Sequence, residues 1–286
     1  MRPFRWDVRK REQLGKLAKG ELADSYDGFL DELRSCTAKA LCRAGDSNLF
    51  FIGRSPESLF DYLSGILDQT SWASRLTLVN FSMKQRDWDT PHRPKEAEWQ
   101  AFRDHLSQQG LSPESIASGE RDTAFIDIVW SGETIERLVN ELSFWAREGG
   151  VDVAAVRRRL RIVGLTRQET PGPKAYRWKR HAKWLDEFPR IPAKNVSAPG
   201  SLWDYIGHAQ AKVARTHPYW RWADPSVAEP PRDEKHLAAL RLGLYLFEAG
   251  LTRQEKKLFV AELTQQHEVR YRWFRSLISE LRAQAI

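Results

Sequence analysis

The sequence predicts an α/β protein: a parallel sheet core with flanking helices, an N-terminal helical segment and a C-terminal helical subdomain. Three observations lead to this fold class. Short apolar runs of strand length alternate with helical patterns over residues 46–166. Apolar residues recur at helical spacing before residue 46 and after residue 200. A chain of 286 residues, 41% of them hydrophobic, is also long enough to bury its own core.

The N-terminal segment, residues 1–45, is predicted to be an amphipathic helix that ends at Ala44-Gly45. Both cysteines of the chain, Cys36 and Cys42, fall on this helix. Because the chain has only two cysteines, a disulfide-stapled scaffold and a four-cysteine zinc site are excluded. We find neither an apolar signal-peptide core nor an apolar run of membrane-spanning length. We therefore expect a soluble, cytoplasmic protein with no membrane partner.

The α/β core is predicted to span residues 46–166 with four strands. The first strand, in NLFFIG (48–53), leads into a turn, GRSPES, and then a helix with Ser55 as N-cap and Pro56 at its first position. RLTLVNFS (75–82) and TAFIDIVW (123–130) are the next two strands, and the fourth covers residues 161–165. Between the second and third strands the sequence predicts a polar loop over 84–95 and a helix that ends at Gly110.

The chain changes character after the core. Residues 167–200 hold five prolines, with PGP at 171–173, and are predicted to form an extended connector. Residues 201–286 are predicted to form the C-terminal helical subdomain.

Two strand-to-helix turns are candidate anion sites, because a helix N-terminus presents unpaired N–H groups at the carboxyl edge of a sheet. The first turn contains Gly53, Arg54 and Ser55. The second contains Ser131, Gly132, Glu133 and Thr134, and Asp127 lies on the strand before it. Each turn is also open to a purely structural interpretation as a helix cap. A net charge of +7 favours phosphate-bearing partners, although it is also compatible with a mild surface bias.

The run FIDIVWSGETI resembles the phosphoribosyl-diphosphate (PRPP) binding motif of type I phosphoribosyltransferases. The resemblance implies that Asp127 contacts ribose hydroxyls and that residues 131–134 cradle the 5′-phosphate. FFIGRSPES similarly looks like the pyrophosphate loop of that family, with Arg54 and Ser55 at its tip. The polar stretch 84–95 falls where the family has a mobile hood, whose cations here would be Lys84, Arg86 and Arg93.

The resemblance implies that the protein binds PRPP or another ligand of the phosphoribosyl or nucleotide class. It also implies Mg²⁺ as the cofactor, and Asp127 and Arg54 as catalytic residues. Ile126 stands where the family has its first acid. Ribosyl transfer to an acceptor and non-catalytic ligand sensing both therefore remain open. The acceptor ring would meet aromatic residues of the C-terminal part: Trp203, Tyr205, Trp220 and Trp222. A homo-oligomer is a further expectation.

A rival hypothesis is nucleic-acid binding by the C-terminal helices. LGLYLFEAGLTRQEKKLFVAEL has the outline of a helix-turn-helix. Six basic residues of this region are candidate phosphate contacts: Arg253, Lys256, Lys257, Arg270, Arg272 and Arg275. The sequence contains no P-loop, no G-x-G-x-x-G dinucleotide motif, no G-x-S-x-G elbow and no histidine pair at metal-ligand spacing, which removes the corresponding enzyme classes.

Overall fold

The computed structural model describes residues 4–82, 95–168, 178, 182–216, 219–224 and 229–285. The predicted hood cations Lys84, Arg86 and Arg93, and the PGP run at 171–173, lie outside these residues. The described strands are β1 Ser47–Ile52, β2 Leu76–Val79, β3 Asp122–Ile128, β4 Leu160–Arg167 and β5 Ala193–Ala198.

The five strands form one parallel sheet in the order β2-β1-β3-β4-β5. This confirms the predicted α/β class with a parallel, helix-covered sheet. In the register, Phe51 of β1 lies between Leu78 of β2 and Ile126 of β3. The fifth strand lies within the stretch that the sequence analysis assigned to the connector. Its sequence, AKNVSA, lacks a continuous apolar run because β5 is an edge strand and only two of its residues are buried.

The helices cover both faces of the sheet. In chain order they are α1 Arg11–Leu14, α2 Phe29–Ala44, α3 Glu57–Ile66, α4 Glu96–Gln108, α5 Pro113–Ser118, α6 Glu133–Glu148, α7 Val153–Arg159, α8 Gly200–Asp204, α9 Glu234–Leu251, α10 Arg253–Thr264 and α11 Arg272–Gln284. Helices α2, α3, α8, α10 and α11 share one apolar cluster with Phe51 and Ile126, and α9 joins it through Leu242 and Leu246. Helices α4 to α7 pack against the opposite face, which presents Phe50 and Phe125.

The alternation within the strands explains this two-layer arrangement. Successive side chains of a strand point to opposite faces, so a strand buried on both sides is apolar at nearly every position. Phe50 and Phe51 of β1, and Phe125 and Ile126 of β3, are each at most 5% exposed. The C-terminal helices thus complete the core of the sheet on one face.

Helices α3 and α9 approach each other closely enough for their backbones to touch. A Cβ atom at Gly65 of α3 would lie 2.0 Å from the carbonyl oxygen of Phe247. A Cβ atom at Gly250 of α9 would lie 2.6 Å from the carbonyl oxygen of Tyr62. A buried network holds α10 onto the same layer. There the Glu255 carboxylate accepts hydrogen bonds from Arg34 Nε at 2.5 Å and from the Tyr62 hydroxyl at 2.8 Å.

Several predicted boundaries shift in the structure. Helix α3 begins at Glu57 with Pro56 as its N-cap, and no side chain caps it, so the prediction of a Ser55 cap was wrong. Strand β3 ends at Ile128 rather than at residue 130. Helix α2, Phe29–Ala44, confirms the amphipathic pattern and the predicted end before Gly45. Residues 19–28 are not helical, so the prediction of a helix over the whole of residues 1–45 was wrong. Across the described residues, no helix combines the length and apolarity that crossing a membrane requires.

Candidate functional site at the carboxyl edge of the sheet

The strand order places a topological switch point between β1 and β3. The helix that follows β1 packs on one face of the sheet, and the helix that follows β3 packs on the other. In doubly wound sheets of this order, ligands bind in the crevice that opens between the two loops at the carboxyl ends of these strands. The structure therefore brings both predicted anion loops, residues 53–55 and 131–134, to the edge where such sheets bind ligands.

The β1–α3 loop requires a glycine at its first position. Gly53 has a φ of +78°, and its N–H donates to the carbonyl oxygen of Val79 at 2.8 Å. A Cβ atom there would also lie 3.3 Å from the carbonyl oxygen of Phe81. The turn holds Arg54 and Ser55 half-buried at the carboxyl edge of the sheet.

A segment that the sequence analysis did not assign to the site runs across this edge. We call residues 203–216 the carboxyl-edge strap. The Trp203 indole N–H donates to the carbonyl oxygen of Leu165 on β4 at 3.3 Å. A Cβ atom at Gly207 would lie 3.9 Å from the Ile128 side chain of β3. Asn80, just after β2, donates to the carbonyl oxygen of Arg215 at 3.1 Å. The strap thus passes over the carboxyl ends of three strands, β4, β3 and β2.

The strap is attached to the N-terminus of α3 by a buried carboxylate. Glu57, 3% exposed, accepts the backbone N–H of Val213 at 2.9 Å and that of Ala214 at 3.3 Å. Arg54 Nη1 donates to the carbonyl oxygen of Ala214 at 3.3 Å. The strap is thus held by the carboxylate at the start of α3 and by the cation of the β1–α3 loop.

Lys212 places a second cation beside Arg54. Its ammonium donates to the carbonyl oxygen of Ile206 at 2.5 Å, to Gln210 Oε1 at 2.9 Å and to the carbonyl oxygen of Ser55 at 3.4 Å. Because all three acceptors are uncharged and the amine is desolvated, the pKa of Lys212 falls to about 8; Glu57 opposes the shift and Arg54 adds to it. Nothing in the local pattern indicated this residue, since it lies far from the loop in the sequence.

The β3–α6 loop is covered by two indole rings. Gly132 is the N-cap of α6 with a φ of +79°, and no side chain caps this helix. A Cβ atom on Gly132 would lie 2.7 Å from the ring of Trp178 and 3.3 Å from that of Trp184. The Trp184 indole N–H donates to the carbonyl oxygen of Ser131 at 3.4 Å. The structure therefore forms the predicted small-residue turn but places aromatic rings over its glycine.

The other residues of the second turn lie around that covered glycine. Ser131 and Glu133 are exposed, and Thr134 is half-buried in the first turn of α6. The Glu133 carboxylate pairs with Arg137 at 2.5 Å, one helical turn further on. An anion at this helix N-terminus would meet the negative charge of Glu133 as well as the positive end of the helix dipole.

Asp127 is buried on the face of the sheet that α6 covers. It is 8% exposed and is in register with Gly164 of β4. Its Oδ1 accepts the backbone N–H of Ile128 at 2.7 Å. Burial raises the pKa of Asp127 well above its usual value, and the backbone hydrogen bond opposes this only in part. Asp127 thus belongs to the layer of α6, whereas Arg54 lies in the loop that leads to α3 on the opposite face and contacts the strap.

The residues of the motif do not fit a protein-held magnesium ion. Mg²⁺ keeps several water molecules when it binds a protein carboxylate, and Asp127 is only 8% exposed, so a hydrated ion has little access to its carboxyl group. Ile126, at the first acidic position, is fully buried in the apolar cluster of the opposite face. In the described ranges, no cluster of three or more histidine, cysteine, aspartate or glutamate residues is placed to hold a metal.

The aromatic residues predicted to meet an acceptor ring pack against the rest of the fold: Trp203 is buried, and Tyr205, Trp220 and Trp222 are half-buried. Trp203 is 6% exposed, and Trp222 stacks on His105 with ring centroids 3.6 Å apart. The Tyr205 hydroxyl donates to the carbonyl oxygen of Asp24, and Trp220 packs against the α4–α7 layer. Trp130, which follows β3 and is 59% exposed, was not among the residues predicted for the site.

Comparison of the chain with models of protein families, with curated proteins and with solved structures found no match.

Proposed function

We propose that the carboxyl edge of the sheet binds a phosphoribosyl or nucleotide ligand, with PRPP as the specific candidate. One observation carries the proposal: at the switch point, helix α3 begins without a side-chain cap at an edge that also holds Arg54 and Lys212. Uncapped helix N-termini attract anions, and adjacent cations add charge for phosphate. This combination supports the role that the resemblance implies for the first loop.

Arg54 is the principal phosphate contact in this proposal. Its guanidinium reaches the carbonyl oxygen of Ala214, an acceptor that a phosphate can replace with a stronger, charge-assisted hydrogen bond. Lys212 holds Ser55 by the longest of its three hydrogen bonds, at 3.4 Å. The ammonium can therefore turn toward a phosphate while its contacts to the strap persist. Any Mg²⁺ enters with the diphosphate of the ligand.

Ligand binding without ribosyl transfer is the form that the geometry favours. Transfer by the family mechanism needs carboxylates that reach the ribose, because charge develops on the ring in an oxocarbenium-like transition state. Asp127 is buried with a raised pKa, and Ile126 belongs to the core. We therefore propose that the site senses its ligand. A pyrophosphate-release assay with purine, pyrimidine and nicotinate-type acceptors tests transfer: silence is expected, and release above background would establish an enzyme.

Calorimetric titration of PRPP with Mg²⁺ tests the binding proposal. Arg54→Gln should weaken binding at least tenfold, about 1.4 kcal/mol. The matched control is Arg253→Gln, which removes an exposed arginine at the start of α10 and should leave the affinity unchanged. Absence of binding to the unmodified protein, or equal affinities for both variants, would refute the proposal.

The basic C-terminal helices support a second candidate, binding of duplex DNA. Five of the six basic residues predicted to contact phosphates in this region are exposed. The sixth, Lys256, is only 5% exposed and donates a hydrogen bond to Gln284 Oε1 at 2.5 Å, so it is not a phosphate contact. Helix α10 begins at the Thr252 N-cap and buries its apolar face against its neighbours. The double variant Arg253→Gln, Lys257→Gln should weaken a salt-dependent DNA mobility shift. Binding that is absent, or that does not depend on salt, would remove this candidate.

A further inference from the structure

An exposed tryptophan stands at the switch point itself. Trp130 follows β3 directly and precedes Ser131 and Gly132, and 59% of its surface is accessible. A large exposed aromatic side chain at the mouth of a ligand crevice offers a flat surface on which a planar ring can stack.

Trp130 belongs to a row of three rings. Its ring centroid is 6.0 Å from that of Trp203 at an interplanar angle of 51°. Trp203 in turn lies 5.2 Å from His208, which is exposed. The burial of Trp203 and its hydrogen bond to Leu165 fix the middle ring. We call Trp130, Trp203 and His208 the aromatic row.

The backbone that carries His208 has an unusual conformation. Residues Tyr205–Ala209 form a π-helical turn, closed by the hydrogen bond from the Gln210 N–H to the Tyr205 carbonyl oxygen at 2.8 Å. Such turns are rare and occur frequently at functional sites. The same turn places the ring of His208 beside that of Trp203 and the Ile206 carbonyl oxygen beside the ammonium of Lys212. It therefore connects the aromatic row with the cationic β1–α3 loop.

We propose that the aromatic row is the subsite for the nucleobase of a nucleotide whose phosphate lies at the β1–α3 loop. The inference rests on the proposed function and narrows its ligand class from phosphoribosyl compounds in general to nucleotides. A nucleotide carries a planar heteroaromatic ring and a phosphate at opposite ends of one sugar. The edge offers a group for each end of the nucleotide. Aromatic side chains stack on any nucleobase, and Arg54 and Lys212 attract the phosphate.

Fluorescence anisotropy of ethenoadenosine monophosphate, a fluorescent nucleotide, tests the subsite. Trp130→Ala should weaken its binding about tenfold or more, which is about 1.4 kcal/mol. Trp130→Phe should recover most of the affinity, because a smaller aromatic face remains. Phe144→Ala is the matched control: Phe144 is a similarly exposed aromatic residue, 50% accessible, at the far end of α6. It should leave the affinity unchanged.

Calorimetry with ribose 5-phosphate and with adenosine separates the two proposals. Ribose 5-phosphate carries no base, so its affinity should depend on Arg54 and not on Trp130. If it binds in that way while Trp130→Ala leaves nucleotide affinity unaltered, the base subsite is refuted and the proposed function stands. If adenosine binds through Trp130 while no phosphorylated ligand binds better than adenosine, the proposed function fails and the subsite stands. If neither compound nor the fluorescent nucleotide binds, both are refuted.

Discussion

The substitution Glu57→Ala removes the carboxylate that attaches the carboxyl-edge strap to helix α3. Glu57 accepts two backbone N–H groups of the strap, those of Val213 at 2.9 Å and Ala214 at 3.3 Å. Both donor residues are buried, at 3% and 0% exposure. The variant therefore loses two hydrogen bonds and leaves two buried N–H groups without their acceptor.

The expected loss follows from these contacts. A hydrogen bond to a charged acceptor contributes about 1.5–3 kcal/mol to stability. The hydrogen bond from Ala214 is the longer one, at 3.3 Å, so its contribution is expected to be about 1.5 kcal/mol or less. Together they predict a loss of about 2–4 kcal/mol in the free energy that keeps the strap closed. Because other contacts hold the rest of the fold, we expect the strap to open locally before the protein unfolds.

Hydrogen–deuterium exchange of peptides spanning the strap measures this opening. In Glu57→Ala, protection of the strap amides should fall by a factor of roughly 30 to 700, while β1 and β3 keep theirs. Glu133→Ala is the matched control, because Glu133 is also the first residue of its helix but is exposed and pairs only one turn away, with Arg137. Unchanged strap exchange in Glu57→Ala, or an equal loss in Glu133→Ala, would show that the carboxylate does not hold the strap.

Three further predictions concern stability. Gly65→Ala should cost about 3 kcal/mol in urea unfolding, because the new Cβ would lie 2.0 Å from the Phe247 carbonyl oxygen. Gly149→Ala should stay within about 0.5 kcal/mol, because its Cβ would meet the flexible Glu114 side chain at 3.3 Å and the Trp145 carbonyl oxygen at an ordinary contact distance of 3.4 Å. Equal effects of the two substitutions would contradict the close contact between the helices. Between pH 8 and 10.5 the unfolded state binds more protons at Lys212 than the folded state. The wild type should therefore gain up to about 3 kcal/mol relative to Lys212→Met across that window, and a flat difference would refute the lowered pKa. Asp127→Asn should grow more stable relative to the wild type from pH 4 to 7, because only the wild type must ionise a buried acid; a less stable variant at pH 7 would indicate a partnered carboxylate.

Local patterns were sufficient to predict much of the core. The apolar residues of β1 and β3 are buried on both faces, and this burial is visible in the sequence as near-continuous apolar runs. Gly53 and Gly132 marked the two turns because positive φ angles favour glycine. The short edge strand β5 was missed because few of its side chains are buried, so its pattern resembles that of a loop.

The sequence by itself predicted four of the five strands that the structure describes, the longer helices, the burial of their apolar faces, and the positions where glycine allows the chain to turn. These properties depend on residues within a few positions of one another. Only the tertiary structure decided the strand order, the burial of Asp127, the indole rings over Gly132 and the position of Lys212 beside Arg54. Each of these depends on contacts between segments far apart in the chain, and side-chain periodicity carries no information about which distant segment lies across a given edge of the sheet.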